Sequence, residues 1–219
     1  MDLKELFTSL PPADFFKEKS VFIAGCGGLG GYLAAAAARC GFGRIVLCDF
    51  DKFDATNLNR QFGCTESTIG CPKAQVTEDM IKDINPKIRV VKFRSRITSI
   101  NCRRLISGCD IILDGLDSRR PRLCLGAAAE TEGIPLVHGA VEGWHCQAAL
   151  IPPGSGILKR LYAGRRTPRN TPVLSFTPAF CAALQVNMAV SFLAGKYSLG
   201  YGRLIIVNLH SFSVDICDI

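Results

Sequence analysis

The chain has 219 residues, 48% of them hydrophobic and 21% charged, and its 26 basic and 19 acidic residues give a formal net charge of +7. That composition excludes a disordered or collagen-like chain and fits a single α/β domain over residues 1–219, long enough to bury roughly 70% of its unfolded surface. No apolar stretch approaches the roughly 20 residues that span a bilayer. Met1 to Leu10 lacks the apolar core of a secretory signal, so a cytoplasmic protein without a membrane partner is expected.

In chain order, strands are expected at Val21–Ala24, Arg44–Cys48, Arg89–Phe93, Asp110–Leu113 and Pro135–His138. Helices are expected at Leu29–Cys40, Lys73–Ile84, Cys102–Ile106 and Arg120–Glu132. This alternation predicts an α/β fold: a Rossmann-like, mostly parallel sheet with helices on both faces. After His138 the rhythm changes, and C-terminal antiparallel strands at Trp144–Ile151 and Leu204–Leu209 extend the sheet, with a small-residue helix from about Ala179 to Leu193 before the last. Pro152 to Pro172, without clear periodicity, reads as a mobile crossover above a site.

Eleven cysteines suggest disulfides or a metal, yet no two of them form a C-x-x-C pair, so no structural zinc is expected. Cys48, Cys124, Cys146 and Cys181 lie in apolar runs and read as reduced core thiols. Cys64 and Cys71 flank a basic segment and are candidates for a redox or transfer role. His138, His145 and His210 lack ligand spacing and read as satisfied polar groups. Basic clusters at Lys87–Arg104 and Lys159–Arg169 carry no nucleic-acid motif; a solvated face, then an acidic protein partner, is the expectation.

Three motifs carry chemistry. The first strand runs into Gly25-Cys26-Gly27-Gly28-Leu29-Gly30, where Gly25, Gly27, Gly28 and Gly30 allow a tight turn and a close approach of backbone N–H groups to phosphate or ribose. Asp49 closes the next strand, where a carboxylate accepts from ribose hydroxyls. This pair admits NAD, FAD or ATP. The second motif is Asp51 followed by Asn57-Leu58-Asn59-Arg60-Gln61 and Pro72-Lys73. Arg60 and Lys73 have no task in hydride transfer, but an enzyme attacking the α-phosphate of ATP needs fixed cations for the developing charge. The third is Asp114-Gly115-Leu116-Asp117: a carboxylate just beyond a buried strand suits Mg²⁺ bridging phosphates, and Asp117 equally suits an N-cap for the next helix.

In this order and spacing the motifs resemble the ThiF/MoeB/HesA family of ubiquitin-activating-type adenylyltransferases, and the resemblance runs through Pro135-Leu136-Val137 to Gln185. It implies a homodimer that uses ATP and Mg²⁺ to adenylylate the C-terminal glycine of a small ubiquitin-like sulfur carrier of the ThiS or MoaD type. By position, Asp49 binds ribose, Arg60 and Lys73 hold phosphates, Asn57 and Gln61 orient the phosphate region, and Asp117 binds magnesium. The chain departs from the family pattern in three ways. Met1–Ser20 has no Arg to reach a partner subunit's ATP, so either Lys4, Lys17 or Lys19 substitutes or that contribution is missing. The zinc cysteines are missing, and Pro152–Pro172 has no cysteine for sulfur transfer. Two rivals stand beside this reading: a non-catalytic module that binds nucleotide and carrier, and an NAD-dependent oxidoreductase that leaves the Asn57–Gln61 block idle. Trp144 and Phe176 either pack or shape a channel for the carrier tail.

Overall fold

The computed structural model describes residues 11–12, 14–163 and 172–219. β1 (Ser20–Ala24) is buried along its whole length, as an apolar run covered on both faces requires. Alternate side chains of a strand point to opposite faces, so β1 feeds two cores. Val21 and Ile23 pack with α1 (Gly28–Cys40), α2 (Lys73–Ile84) and α6 (Phe176–Leu193). Phe22 and Ala24 pack with α3 (Cys102–Ile106), α4 (Arg119–Glu132) and α5 (Ile157–Leu161).

The remaining strands are β2 (Arg44–Cys48), β3 (Arg89–Phe93), β4 (Ile111–Asp114), β5 (Leu136–Glu142), β6 (His145–Ile151), β7 (Arg203–Asn208) and β8 (Ser213–Asp218). They form one eight-stranded sheet of order β3-β2-β1-β4-β5-β6-β7-β8. Pairing is parallel from β3 to β5 and antiparallel from β5 to β8. The chain winds outward from β1 to β3, then returns to lay β4 on the other side of β1. Open α/β sheets bind ligands at such a reversal, outside the carboxyl ends of the strands. The register sets Ala24 opposite both Cys48 and Asp114, so the three strands end level. Gly25, Asp49 and Gly115 therefore leave the sheet at one edge.

The expected α/β architecture is the one found, with several amended boundaries. β4 runs through Asp114, and β5 continues to Glu142 as the first arm of a hairpin with β6. The crossover contains a helix, α5, anchored by buried Ile157, Leu158 and Leu161; residues 164–171, with the rest of the Lys159–Arg169 cluster, lie outside the described residues, as does Lys4. α6 begins at Phe176 because Pro178 sits in its first turn, where proline costs no hydrogen bond. At 18 residues α6 is long and apolar enough to cross a membrane, which amends the expectation that no such stretch exists. Its buried side, with Cys181, Ala182, Val186, Met188 and Ala189, packs in the core against α1 and β4–β6. β8, beyond the last expected strand, is exposed at every position.

Candidate nucleotide-binding site

The glycine turn is a close-packed junction. Gly25 takes φ +85° and donates its N–H to the Cys48 carbonyl at 2.9 Å. A Cβ on Gly30 would stand 1.9 Å from the Gly25 carbonyl oxygen, so no side chain fits there. The first turn of α1 is thereby pressed onto the end of β1. Its N-cap is Gly27, without a side-chain cap, leaving the helix N-terminus open to an anion.

Asp49 ties this turn to its surroundings. Its two carboxylate oxygens accept the Cys26 N–H at 2.7 Å and the Asp51 N–H at 2.8 Å. Each oxygen keeps a further lone pair for a ligand hydroxyl. Asp51 in turn holds Lys73: Nζ lies 2.8 Å from Asp51 Oδ2, and the Lys73 N–H donates to the Asp51 carbonyl at 3.0 Å. Lys73 is 6% exposed, an unusual burial for an ammonium. The Lys73 hydrogen bond holds the Asp51 carboxyl below the usual carboxylate range. Phe50, half exposed beside Asp49, carries the Arg96 guanidinium 3.7 Å above its ring.

The Asn57–Gln61 block divides its labour. Asn57 is buried and closes a capping box, its Oδ1 accepting the Asp54 N–H at 3.2 Å, so in this structure its side chain shapes the turn. Arg60 rests on the Thr56 carbonyl and Asn59 Oδ1, both at 2.9 Å, with its stem beside Gly28. Gln61 is buried and its Oε1 accepts no hydrogen bond. That oxygen faces Gly27, where a Cβ would come within 3.6 Å of it. A buried acceptor left unsatisfied costs roughly 1–3 kcal/mol, which a donor on a bound ligand relieves. The donors and acceptors present fit a nucleotide: an open helix N-terminus, the Asp49 carboxylate at the end of β2, two cations and the unpaired Gln61 amide oxygen around a glycine cradle.

At the end of β4 the two acidic residues part company. Asp114 is wholly buried; its Oδ2 lies 2.8 Å from Arg122 Nε and 2.9 Å from His138 Nδ1, and its Oδ1 accepts the Leu116 N–H at 3.1 Å. Burial pushes the Asp114 carboxyl up, but the Arg122 charge and the His138 hydrogen bond outweigh it and hold the group ionised below the usual range. Asp117 is exposed beyond the strand, and the N-cap of α4 is Ser118, so Asp117 does not cap that helix. Among the described residues no three His, Cys, Asp or Glu stand together as a metal cage. Magnesium usually takes one or two carboxylates and completes its shell with phosphates and water, and Asp117 fits that use.

Other expected participants sit elsewhere. Lys17 and Lys19 pair with Asp14 and Asp110 at the amino edge of β1, opposite the glycine turn. Cys64 is buried, and burial pushes its thiol up, away from the thiolate a transfer role uses. Burial likewise raises the Cys48 thiol to about 11. Cys181 is fully buried in α6, as expected of a core thiol. The Trp144 and Phe176 rings lie 5.2 Å apart at a tilt of 41°, each nearly half exposed. Pattern reading misses the role of Arg122, Gln147 and Tyr162, which meet Asp114 and His138 only through the fold. Asp114 was the one available signal, a carboxylate inside an otherwise apolar strand.

The ThiF family model matches residues 11–219. The chain is 29% identical to SAMP-activating enzyme E1 of Haloferax volcanii over 191 residues, covering 84% of this chain and 71% of that protein. It is 33% identical over 203 residues to a probable adenylyltransferase/sulfurtransferase MoeZ of Mycobacterium tuberculosis, covering 88% of this chain and 52% of the relative. The chain thus spans about half the length of several curated relatives it matches. Among solved structures, Escherichia coli tRNA N6-threonylcarbamoyladenosine dehydratase in complex with AMP aligns with TM-score 0.72 and 25% identity, covering 84% of this chain and 89% of that one. With its fold and the residues of its glycine turn in place, the chain belongs to the ThiF family.

Proposed function

We propose that the chain is an ATP-dependent adenylyltransferase that activates the C-terminal glycine carboxylate of a small ubiquitin-like sulfur carrier of the ThiS or MoaD type. The observation that carries this reading is one unbroken chain of contacts. The glycine turn donates to Asp49, Asp49 accepts from Asp51, and Asp51 holds the buried ammonium of Lys73. These contacts support reading Asp49 as the ribose carboxylate and Lys73 as a phosphate cation held as one unit, and hydride transfer has no use for the second half.

In the step proposed, a carboxylate oxygen of the carrier's terminal glycine attacks the α-phosphorus. The bond from that phosphorus to the bridging oxygen breaks, and pyrophosphate leaves with the electron pair. A carboxylate is ionised at neutral pH, so no general base is needed. Lys73 and Arg60 stabilise charge on the phosphoryl oxygens, Asp49 and the turn align the nucleoside, and Gln61 Oε1 accepts from the bound nucleotide or its water. Mg²⁺, held by Asp117, would neutralise phosphate charge.

The net charge of +7 suits an acidic carrier. A homodimer in the reducing cytoplasm is part of the same reading, with exposed Leu58, Phe62, Leu174, Phe176 and Phe180 available for an interface. Carrier-dependent exchange of labelled pyrophosphate into ATP, with a ubiquitin-like sulfur carrier ending in Gly-Gly, tests the proposal. Exchange lost in Arg60→Ala supports the enzyme. Nucleotide and carrier binding without exchange marks a non-catalytic module, and tight NAD binding without ATP binding marks an oxidoreductase.

A further inference from the structure

The buried charges behind the site form a closed circuit. Arg122 Nη1 donates to the Tyr162 hydroxyl. That hydroxyl lies 3.4 Å from His138 Nε2, which Gln147 Nε2 also approaches at 3.2 Å. His138 Nδ1 meets Asp114 Oδ2 at 2.9 Å, and Asp114 returns to Arg122 at 2.8 Å. With the His138 proton on Nδ1 for Asp114, the Nε2 lone pair faces the Tyr162 hydroxyl and the Gln147 amide.

The circuit grips Leu116, the residue before Asp117, from both sides. The Leu116 N–H donates to Asp114 Oδ1 at 3.1 Å, and the Leu116 carbonyl accepts from Arg122 Nη2. The second contact fixes the peptide plane that leads into Asp117. Arg122 Nη2 also donates to the Gly139 carbonyl at 3.0 Å, which locks the fork to β5. Four members of the circuit come from β4, α4, β5 and β6. Tyr162 alone comes from the crossover, one residue past α5, whose Leu158 is seated so tightly on α4 that a Cβ on Gly126 would lie 2.6 Å from its Cδ2.

We infer that Tyr162, acting through Arg122, is a positioning residue that couples seating of the crossover to the orientation of the Asp117 carboxylate and so to magnesium use. This rests on the reading of Asp117 given above. Without the hydroxyl, Arg122 loses one fixed partner and His138 loses its Tyr162 contact at Nε2. The guanidinium can then turn, and the Leu116–Asp117 peptide plane turns with it.

The test uses full-length protein, ATP and magnesium. ATP binding is followed calorimetrically in EDTA and across a magnesium series, and amide hydrogen exchange is followed at Leu116 without nucleotide. In Tyr162→Phe, which keeps the ring edge-on to His138, the magnesium concentration for half-maximal enhancement of ATP binding rises about tenfold, the usual cost of losing an outer partner of a metal ligand. Affinity in EDTA stays within about twofold, and the Leu116 amide exchanges faster, since only the magnesium-dependent part of binding is affected. Arg122→Lys, which keeps a charge opposite Asp114 but loses the planar fork, shifts the magnesium midpoint likewise. An unchanged midpoint in both variants overturns the inference, as does an equal loss of affinity with and without magnesium. If wild-type binding ignores magnesium, the role given to Asp117 fails. The exchange data then decide the circuit alone, and an unaltered Leu116 amide in Tyr162→Phe refutes it.

Discussion

Lys73→Met removes one charge and little else. The methionine keeps an unbranched stem of similar length in the buried channel where Lys73 now lies, 5.9 Å above the Phe53 ring. The ammonium sits 2.8 Å from an Asp51 oxygen, and a phosphoryl oxygen taking that oxygen's place would meet a nearly desolvated cation. At an effective dielectric of about 20, unit charges about 4 Å apart interact by ~4 kcal/mol. Deleting one preorganised donor to a developing charge typically costs about 100- to 1,000-fold in kcat. The stability cost is far smaller. The Asp51 side chain is 52% exposed and returns to water, so the pair contributes no more than about 1 kcal/mol, or roughly 2–4 °C in Tm for a chain of this size. The assay is carrier-dependent pyrophosphate exchange beside a thermal melt of the same preparation. A fall in kcat of two to three orders of magnitude with a nearly unchanged Tm is expected. A fall of less than about tenfold, in a variant that melts like the wild type, refutes the assignment of Lys73 to the phosphates.

The same variant has a pH signature. The folded Asp51 carboxyl is held low chiefly by its hydrogen bond from Lys73. Its stabilising contribution is therefore present above the ordinary carboxylate range and lost as pH falls through the depressed value, so Lys73→Met flattens the acid limb of a Tm-against-pH profile. Arg122→Ala leaves Asp114 buried and uncompensated, at a cost of about 3–5 kcal/mol. A melt should show a Tm lower by more than about 6 °C, and a drop of half that would mean the pair is poorly coupled. Gly30→Ala forces a Cβ to within 1.9 Å of the Gly25 carbonyl. Calorimetry should find ATP affinity reduced and stability lowered by roughly 1–3 kcal/mol; wild-type behaviour on both counts would contradict the packing described. Aromatic disulfide titration should label exposed Cys217 first and buried Cys26, Cys146 and Cys181 only on unfolding, an order that rapid labelling of any of those three would overturn.

Local chemistry was readable in the sequence wherever it was carried by neighbours along the chain. The run from Val21 into Gly25–Gly30 specifies strand, turn and helix because apolar burial, close approach and an uncapped helix start all lie within one segment. Asp49 and Lys73 were legible for the same reason, each standing at the end or start of an element. The Asp114 circuit was not, because Arg122 and Tyr162 lie 40 positions apart and His138 reaches Asp114 across 24. A charge at a strand end reads as a terminus, and only the fold shows a guanidinium allowing β4 to run through it. The small-residue pattern suggested a start for the last helix near Ala179, whereas α6 begins at Phe176 with Pro178 harmless in its first turn. Asn57 matched a motif, but its burial within a capping box follows from the turn around it.

Intact-mass analysis of the Gly-Gly-ending carrier, incubated with this protein, ATP and Mg²⁺, observes the proposed product itself. An AMP adduct on the carrier's terminal carboxylate, formed with release of pyrophosphate and absent with Lys73→Met, is the predicted result. A carrier that binds the protein alongside ATP yet keeps its mass unchanged would contradict adenylylation and leave a binding module in its place.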